Sequence, residues 1–244
     1  MSSIRTNMKL PTVDDLFTTQ KERDENNQEK ILEIPLTDLH PFKDHPFHVT
    51  ENEELRELAE SIKENGIVTP AIARPRPEGG YELVAGHRRK AACELAGIAT
   101  MPVLVRKLDD NTATIIMVDS NQQRENLLPS EKAFSYKMKL EAIKRQGKRT
   151  DLTSTQLAQK LSVERIGDEH GESKDQIRRY IRLTNLIPAI LKMVDEKRIA
   201  FNPAVELSYL PEELQKKLLE VPCIFQSDTK VRHNAVYVKA LKLL

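Results

Sequence analysis

The spacing of apolar residues changes near Pro129, and this change constrains the fold more than any other feature of the chain. Before Pro129, short apolar segments such as Ile31–Ile34 and Tyr81–Ala85 are bounded by turn residues, which predicts β-strands. Longer segments between them, including Leu55–Ile62, repeat apolar residues every three to four positions, which predicts helices. After Pro129 the patterned segments have the helical period. We therefore expect an α+β protein, with a mixed α/β domain followed by an all-α domain.

The chain divides into four parts on this basis. Residues 1–30 are polar, include the charged run KERDENNQEK, and are predicted to be disordered. Residues 31–126 form the mixed α/β domain and residues 127–210 the helical domain. The structure of the tail, residues 211–244, stays open. A length of 244 residues suits two modest domains, because domains usually have about 100–200 residues.

Composition excludes several classes of protein. The formal net charge is +1, from 38 basic and 37 acidic residues, so any affinity for nucleic acid must come from a local patch. Cys93 and Cys223 lie far apart and form no CxxC pair, which argues against a disulfide framework or a zinc site. The N-terminus lacks the apolar core of a signal peptide, and the apolar runs are too short for a bilayer. We therefore expect a cytoplasmic protein without a membrane partner.

The segment ELVAGHRRKAACELAGI predicts a strand, a glycine turn at Gly86 and a helix that starts with cations. The first turn of a helix carries unpaired backbone N–H groups and a partial positive charge, so Arg88, Arg89 and Lys90 repel it. An anion bound in the turn would explain this arrangement. An ordinary exposed basic turn is the alternative.

A second polar segment, DSNQQREN, ends the helix predicted over residues 110–123. It offers Asn121 and Arg124 as further groups that could hold an anion. An exposed loop would have the same composition. Two segments of similar chemistry in one domain favour an anion pocket over two unrelated loops.

The helical domain contains a candidate helix-turn-helix. Leu157, Ala158 and Leu161 have the spacing of its first helix, and GESKDQIRRYIRL supplies the second, with Ile177 and Ile181 facing inward. Between residues 140 and 200 there are 13 Lys and Arg against 9 Asp and Glu. Arg and Gln on the outer face of such a helix reach phosphates and base edges, so this helix is a candidate recognition helix for DNA. Its candidate DNA-contacting residues are Ser173, Lys174, Gln176, Arg178, Arg179 and Arg182.

The spacing within this motif is unusual. Nineteen positions separate Ala158 from Ile177, whereas a compact motif needs about ten. The surplus matches Ser162–His170, which we expect to form an extended, acidic turn that projects from the domain. An ordinary amphipathic helix with a basic face is the alternative interpretation of the whole segment.

Four segments together resemble the ParB/Spo0J family. They are ENGIVTPAIARP, YELVAGHRRKAACELAGI, SNQQRENLLPSEKA and the helix-turn-helix, in the order and approximate spacing of that family. Its members are bacterial partition proteins that bind centromere-like DNA. The resemblance implies a CTP-binding N-terminal domain, a helix-turn-helix that reads a palindromic site in double-stranded DNA, and a nucleoid-associated homodimer. A ParA-type ATPase is the partner that it implies.

The resemblance also assigns residues to a nucleotide site. The family's G-E-R-R turn corresponds to the segment from Gly86 to Arg89. Asn121 and Arg124 match its E-N-x-x-R motif, and Thr69 and Pro70 stand where a loop of the family lies against the nucleotide. The cofactors implied are CTP and Mg²⁺, with Asn121 as the metal ligand. The nucleotide-binding residues implied are Thr69, Pro70, Gly86, His87, Arg88, Arg89, Asn121 and Arg124.

Three departures from the family pattern affect these expectations. His87 stands where the family has glutamate, and Ser120 replaces another glutamate, so we expect CTP binding with slow or absent hydrolysis. Whether the protein is an enzyme therefore stays open. The tail after Leu210 does not resemble the family's dimerisation domain. The oligomeric state stays open for the same reason.

Two other functional classes compete with partition. A helix-turn-helix transcriptional regulator with a degenerate nucleotide domain has the same motifs. A sulfiredoxin-like enzyme would need a cysteine where Gly86 stands, and Cys93 lies within the following helix. The sequence therefore disfavours a sulfiredoxin-like enzyme, and a transcriptional regulator stays the alternative to a partition protein.

Overall fold

The computed structural model describes residues 30–43, 45–47, 49, 51–122, 127–147 and 155–220, apart from the side chains of 147, 155–162 and 220. Within these residues the expected α+β class is confirmed, with a five-stranded sheet and its helices followed by helices alone. No helix in this part of the chain is long and apolar enough to cross a membrane.

The N-terminal half is built on one mixed sheet in the order β1-β5-β3-β4-β2. β1 pairs antiparallel with β5, β5 parallel with β3, β3 antiparallel with β4, and β4 parallel with β2. A short 3₁₀ turn, Leu36–Asp38, separates the first two strands. The strands are β1 (Lys30–Pro35), β2 (Leu39–Pro41), β3 (Ala71–Pro75), β4 (Tyr81–Ala85) and β5 (Thr100–Val105).

Helices cover both faces of this sheet. Two of them, α1 (Glu53–Asn65) and α2 (His87–Ala96), bury apolar residues against one face, where Leu83 and Ala92 are fully buried. The third, α3 (Asp110–Gln122), packs Met117 on the other face, around Val84 of β4. Successive residues of β4 thus contribute to two cores, as the period of two in a strand requires.

Helix α1 begins two residues later than its sequence suggests. The pattern predicts a capping box with Thr50 as N-cap and Glu53 three residues later, but the N-cap is Asn52, whose side chain accepts a hydrogen bond from Leu55 N at 3.0 Å. Glu53 is therefore the first helical residue. The other end is as expected, because Gly66 closes the helix with a φ of 70°.

The C-terminal half consists of helices. Helix α4 (Pro129–Gly147) lies between the two halves: Met138 packs into the α3 core, and Ala133 packs with the helices that follow. The other helices are α5 (Thr155–His170), α6 (Lys174–Leu183), α7 (Pro188–Asp195), α8 (Phe201–Leu207) and α9 (Glu212–Glu220).

Helix α9 lies in the tail whose structure the sequence left open. Leu218 is 4% exposed in the core that α7 and α8 form. Gln215 is 1% exposed; it accepts from Ile187 N at 2.9 Å and donates to Leu210 O at 2.9 Å. The tail therefore belongs to the folded helical domain at least as far as α9.

The prediction of an extended turn over Ser162–His170 is wrong. These residues are helical and form the C-terminal part of α5, and Val163 and Ile166 are 5% and 0% exposed in a core with Ile177. The segment does not project from the domain, because its apolar residues hold α5 against α6. The turn is only Gly171–Ser173.

Gly167 explains why the spacing measured from Ala158 is too long for a compact helix-turn-helix. A Cβ on this residue would lie 2.5 Å from the carbonyl oxygen of Glu172, so the close approach of the turn requires glycine. Gly167 precedes Ile177 by ten positions, the separation expected of a compact helix-turn-helix. The small residue at the helix crossing is therefore Gly167 and not Ala158.

Candidate nucleotide site and DNA-binding surface

The glycine turn between β4 and α2 has the form expected of an anion site. Gly86 has φ 110° and is the N-cap of α2, and a Cβ there would lie 2.8 Å from the Cβ of Ala71. Among the residues that the structure describes, no side chain caps the helix, so its first N–H groups have no side-chain acceptor of that kind. A turn that excludes side chains and exposes N–H groups lets an anion approach the backbone.

Arg89 joins two of the predicted nucleotide-binding segments. Its Nη1 donates to the carbonyl oxygen of Pro70 at 2.8 Å and also to that of Thr69. Burial lowers the pKa of Arg89, with a smaller opposing effect from Cys93. Arg89 thus holds the Thr69–Pro70 loop against the turn.

Arg88 has a different environment from Arg89. Its guanidinium pairs with the Glu54 carboxylate at 3.1 Å, and the two side chains are 30% and 61% exposed. An exposed pair of this kind contributes at most about 1 kcal/mol, so a phosphate could displace the carboxylate at small cost. Lys90 donates to Leu39 O at 2.7 Å, which leaves Arg88 as the most accessible cation of the turn.

His87 is a neutral residue in this structure. Burial, with smaller effects from His45 and Lys90, lowers the pKa of His87 to about 3. Its ring lies 3.9 Å from the ring of His45, and within the described residues neither of its nitrogens has a hydrogen-bond partner. His87 therefore adds no positive charge to the turn near neutral pH.

The second polar segment is described only in part. Asn121 lies at the end of α3 and donates to Met117 O at 2.8 Å, and Ser120 Oγ donates to the same oxygen at 2.9 Å. Arg124 lies outside the described residues. The neighbouring carboxylate, Asp119, binds Lys139. This helix end thus offers neutral oxygens and fits a protein-held Mg²⁺ poorly.

The predicted recognition helix is α6. Ser173 is its N-cap and accepts from Gln176 N at 3.2 Å, and Ile177 and Leu183 are fully buried. Lys174 pairs with Glu164 at 3.2 Å, and Arg178 pairs with Asp175 at 3.2 Å. Both cations stay on the outer face of the helix, where they can reach DNA.

Arg179 and Arg182 are less exposed than the sequence suggests. Arg179 donates to Asn202 Oδ1 at 2.5 Å and lies over the Phe201 ring, and Arg182 stacks on the Tyr209 ring at 4.0 Å. Both side chains are half-buried, so they are less accessible than Arg178, and their contact with DNA stays a prediction. Aromatic rings from α8 and the following turn hold the two guanidinium groups in fixed positions.

Family models match both halves of the chain. The ParB N-terminal domain matches residues 20–122, and the ParB HTH domain matches residues 125–243. The chain belongs to the ParB family.

Individual relatives agree with this assignment. A nucleoid occlusion protein from Halalkalibacterium halodurans is 29% identical over 222 residues, which are 91% of this chain and 72% of the relative. A probable chromosome 1-partitioning protein ParB from Deinococcus radiodurans is 34% identical over 167 residues, 68% of this chain and 52% of the relative. The chain thus spans about half to three quarters of the length of these curated relatives.

A solved structure supports the fold. The structure of a Pnob8-like ParB-N domain is 17% identical and covers 86% of this chain and 98% of its own, with a TM-score of 0.54. At this identity the similarity concerns the fold alone.

Three residues that contact the candidate site residues have no clear signal in the sequence: Glu54 at the Gly86 turn, and Phe201 and Tyr209 beside α6. Glu54 is a surface carboxylate on α1, and its pairing with Arg88 crosses 34 residues of sequence, so no local pattern predicts it. Phe201 and Tyr209 follow the helix-turn-helix in the chain. Both lie in a segment, residues 199–210, that is rich in other apolar residues, so no local signal distinguishes them.

Proposed function

We propose that this protein is a sequence-specific DNA-binding partition factor whose N-terminal domain binds CTP. The observation that carries the proposal is helix α6, in a chain both of whose halves match ParB domains. Ile177 and Leu183 anchor this helix, and Lys174 and Arg178 lie outside. A recognition helix needs this division between anchoring and reading residues.

The DNA site that we propose is palindromic, read by a homodimer. A two-fold protein matches a two-fold site, so each α6 would contact one half-site in the major groove. A ParA-type ATPase is the proposed partner in partition. The Deinococcus radiodurans relative is named a partitioning protein, which supports this assignment over a transcriptional regulator.

Chromatin immunoprecipitation with sequencing tests the DNA part of the proposal. A partition factor that spreads on DNA gives a broad occupied region around one or a few palindromes. Scattered sharp peaks at promoters would instead identify a transcriptional regulator, and the proposal would then be wrong.

The nucleotide part of the proposal rests on the Gly86 turn. The N–H groups of α2 and the Arg88 guanidinium supply hydrogen bonds and charge for the phosphates of CTP. Arg89 keeps the Thr69–Pro70 loop in place beside them. Arg124 and the amide of Asn121 are the proposed contacts from the other segment.

Calorimetry with CTP and with ATP tests this part. Arg88→Ala should abolish CTP binding, and ATP should bind more weakly than CTP. Because Ser120 and His87 stand where the family has acidic residues, a phosphate-release assay should detect slow or no hydrolysis, and Ser120→Glu should raise the rate. CTP binding by Arg88→Ala as tight as that of the unaltered protein would contradict the assignment.

A further inference from the structure

A buried lysine joins the two halves of the molecule. The Lys139 side chain, on α4, is 2% exposed. Its ammonium group contacts Asp119 of α3, Glu169 of α5 at 2.6 Å and His170 Nε2 at 3.2 Å. We call Asp119, Lys139, Glu169 and His170 the Lys139 cluster. It is the place where helices α3, α4 and α5 share one set of polar contacts.

A buried ammonium group requires such partners. Moving a charge out of water costs several kcal/mol unless other charges and hydrogen bonds replace the lost hydration. Lys139 has three hydrogens to donate, and the cluster offers three acceptors. The arrangement is therefore fully satisfied only while α3 and α5 both stay in contact with α4.

The cluster also explains why three potential metal ligands lie together. Ligand atoms of Asp119, Glu169 and His170 lie within 4.8 Å of one another. The Lys139 ammonium group already contacts all three and supplies the positive charge that a metal would bring. This cluster is thus an internal ion network and not a candidate metal site.

A second contact on the same face of α4 gives a comparison. Lys132 pairs with Glu172 at 3.1 Å and lies over the Tyr180 ring, 5.4 Å from its centroid. Both of these partners belong to the helix-turn-helix. Lys132 thus holds α4 to the DNA-binding motif, as Lys139 does, but its pairing with Glu172 does not involve α3.

The partners of Lys139 lie next to the two candidate sites. Asp119 directly precedes Ser120 and Asn121, the end of α3 that we assign to the nucleotide site. Glu169 and His170 are the last residues of α5, and only Gly171–Ser173 separate them from α6. The Lys139 ammonium group is buried but Asp119 and Glu169 are 46% and 36% exposed, so these ion pairs constrain the placement of the three helices with little gain in net stability.

We propose that Lys139 is a positioning residue that couples the nucleotide end of α3 to the recognition helix. A change in α3 moves Asp119, and the cluster passes this change to the end of α5 and so to α6. The coupling to nucleotide rests on the proposed CTP binding, whereas the positioning of α5 does not.

The sharpest variant is Asp119→Asn. It removes the charged partner on α3 and keeps the Lys139–Glu169 pair, and because the Asp119 side chain is 46% exposed, the protein should still fold. Lys139→Met is the second variant, with a side chain of similar length and no charge. Lys132→Met is the matched control, since it removes a lysine from the same helix face without touching α3.

The first measurement needs neither nucleotide nor DNA. Hydrogen–deuterium exchange of the full chain reports the opening of residues 163–170. Asp119→Asn and Lys139→Met should both speed exchange there, and Lys132→Met should leave exchange in α3 unchanged. If Asp119→Asn exchanges at the rate of the unaltered protein in residues 163–170, Lys139 does not transmit the placement of α3, and the proposal is wrong.

The second measurement is the effect of CTP on DNA affinity, by fluorescence anisotropy with the most strongly occupied genomic site and with a random-sequence duplex. Coupling between two sites typically changes affinity by about fivefold or more. Asp119→Asn should bring this ratio towards one, and Lys132→Met should retain it. An unchanged ratio in Asp119→Asn overturns the coupling. If the unaltered protein shows no CTP binding, the proposed nucleotide function fails, while the exchange result still decides the positioning role.

Discussion

The carbonyl oxygen of Glu172 lies 2.5 Å from the point that a Cβ on Gly167 would occupy, and the Glu172 N–H donates to Gly167 O at 3.0 Å. The glycine thus lets the turn fold back tightly on the last part of α5. This contact sets the angle at which α6 leaves the turn, and so the placement of every residue that we assign to DNA.

Gly167→Ala should therefore destabilise the protein by about 1–2 kcal/mol. Alanine in a helix interior normally gains about 1 kcal/mol over glycine, but a methyl group 2.5 Å from a backbone carbonyl oxygen is a severe clash, which should cost about 2–3 kcal/mol, the upper end of the range for overpacking. Urea denaturation measures the difference. Asp168→Ala, at the exposed next position, is the control and should change stability by less than about 0.5 kcal/mol. A Gly167→Ala protein as stable as its control would show that the turn can relax.

Local patterns predicted the N-terminal half well. Alternation gave β4, and Gly66 and Gly86 marked the end of α1 and the start of α2, because each glycine adopts a positive φ that other residues avoid. Those signals depend on neighbours in sequence. The N-cap of α1 was misplaced by two residues because Thr50 and Asn52 are both good capping residues.

In the helical half, local patterns do not predict which side chains are buried. The apolar pattern of residues 129–147 predicts Phe134 in the core, but Phe134 is 39% exposed, whereas Tyr136 and Lys139 on the same helix are 2% exposed. A lysine is normally assigned to the surface, and only its tertiary partners make burial possible. Likewise, Gly167 is the helix-crossing residue only because α5 continues through residues 162–170, which no local pattern of the sequence predicts.

Arg178 should be the recognition-helix arginine with the most direct effect on DNA affinity. Its side chain is 50% exposed and pairs with Asp175 only one turn away, an interaction that DNA can replace. Arg178→Ala should cost about 1–3 kcal/mol on the cognate site if Arg178 reads a base. If it contacts a phosphate instead, affinity should fall on all sequences and the salt slope should decrease by about one.

A salt series on cognate and random duplex separates these two outcomes. Arg56→Ala is the control, because Arg56 is 60% exposed on α1 in the other half of the chain. The effect of Arg179→Ala on DNA affinity should differ from that of Arg178→Ala, because Arg179→Ala also removes contacts with Asn202 and the Phe201 ring inside the protein. If neither arginine variant binds DNA more weakly than Arg56→Ala, α6 is not the reading helix.

Removing the carboxylate of Glu54 should strengthen CTP binding. Arg88 pairs with Glu54 at 3.1 Å, and a phosphate must displace this partner before Arg88 can bind it. Because an exposed pair is worth at most about 1 kcal/mol, Glu54→Gln should raise CTP affinity by up to about fivefold. Calorimetry at low salt measures the change.

Glu57→Gln is the matched control for this variant. It removes the same charge from the same helix, so the general effect of net charge on an anionic ligand is equal in the two proteins. A gain in affinity confined to Glu54→Gln identifies the Arg88 pairing as its cause. Equal gains would reduce the effect to net charge and leave the pairing without influence on binding.

His87 should make the folded state sensitive to mild acid. The pKa of His87 is about 3, mainly because of burial, against about 6.5 in an unfolded chain. Between these values the unfolded state binds more protons than the folded state, so stability rises with pH in this window. The contribution is complete above about pH 6.5 and is lost as pH falls towards 3, at up to about 1.4 kcal/mol per pH unit.

Urea denaturation at about pH 7.5 and about pH 5 measures this contribution, because the unaltered protein should lose up to about 2 kcal/mol more than His87→Gln. Glutamine keeps hydrogen-bonding groups of similar size and takes up no proton in this range. Subtracting the two proteins removes the titration of the carboxylates and of His170, whose pKa is also lowered by burial and by Lys139. His170→Gln, measured in the same way, gives the separate contribution of the Lys139 cluster. Equal losses in the unaltered protein and in His87→Gln would mean that His87 is hydrated in solution and does not stay neutral through burial.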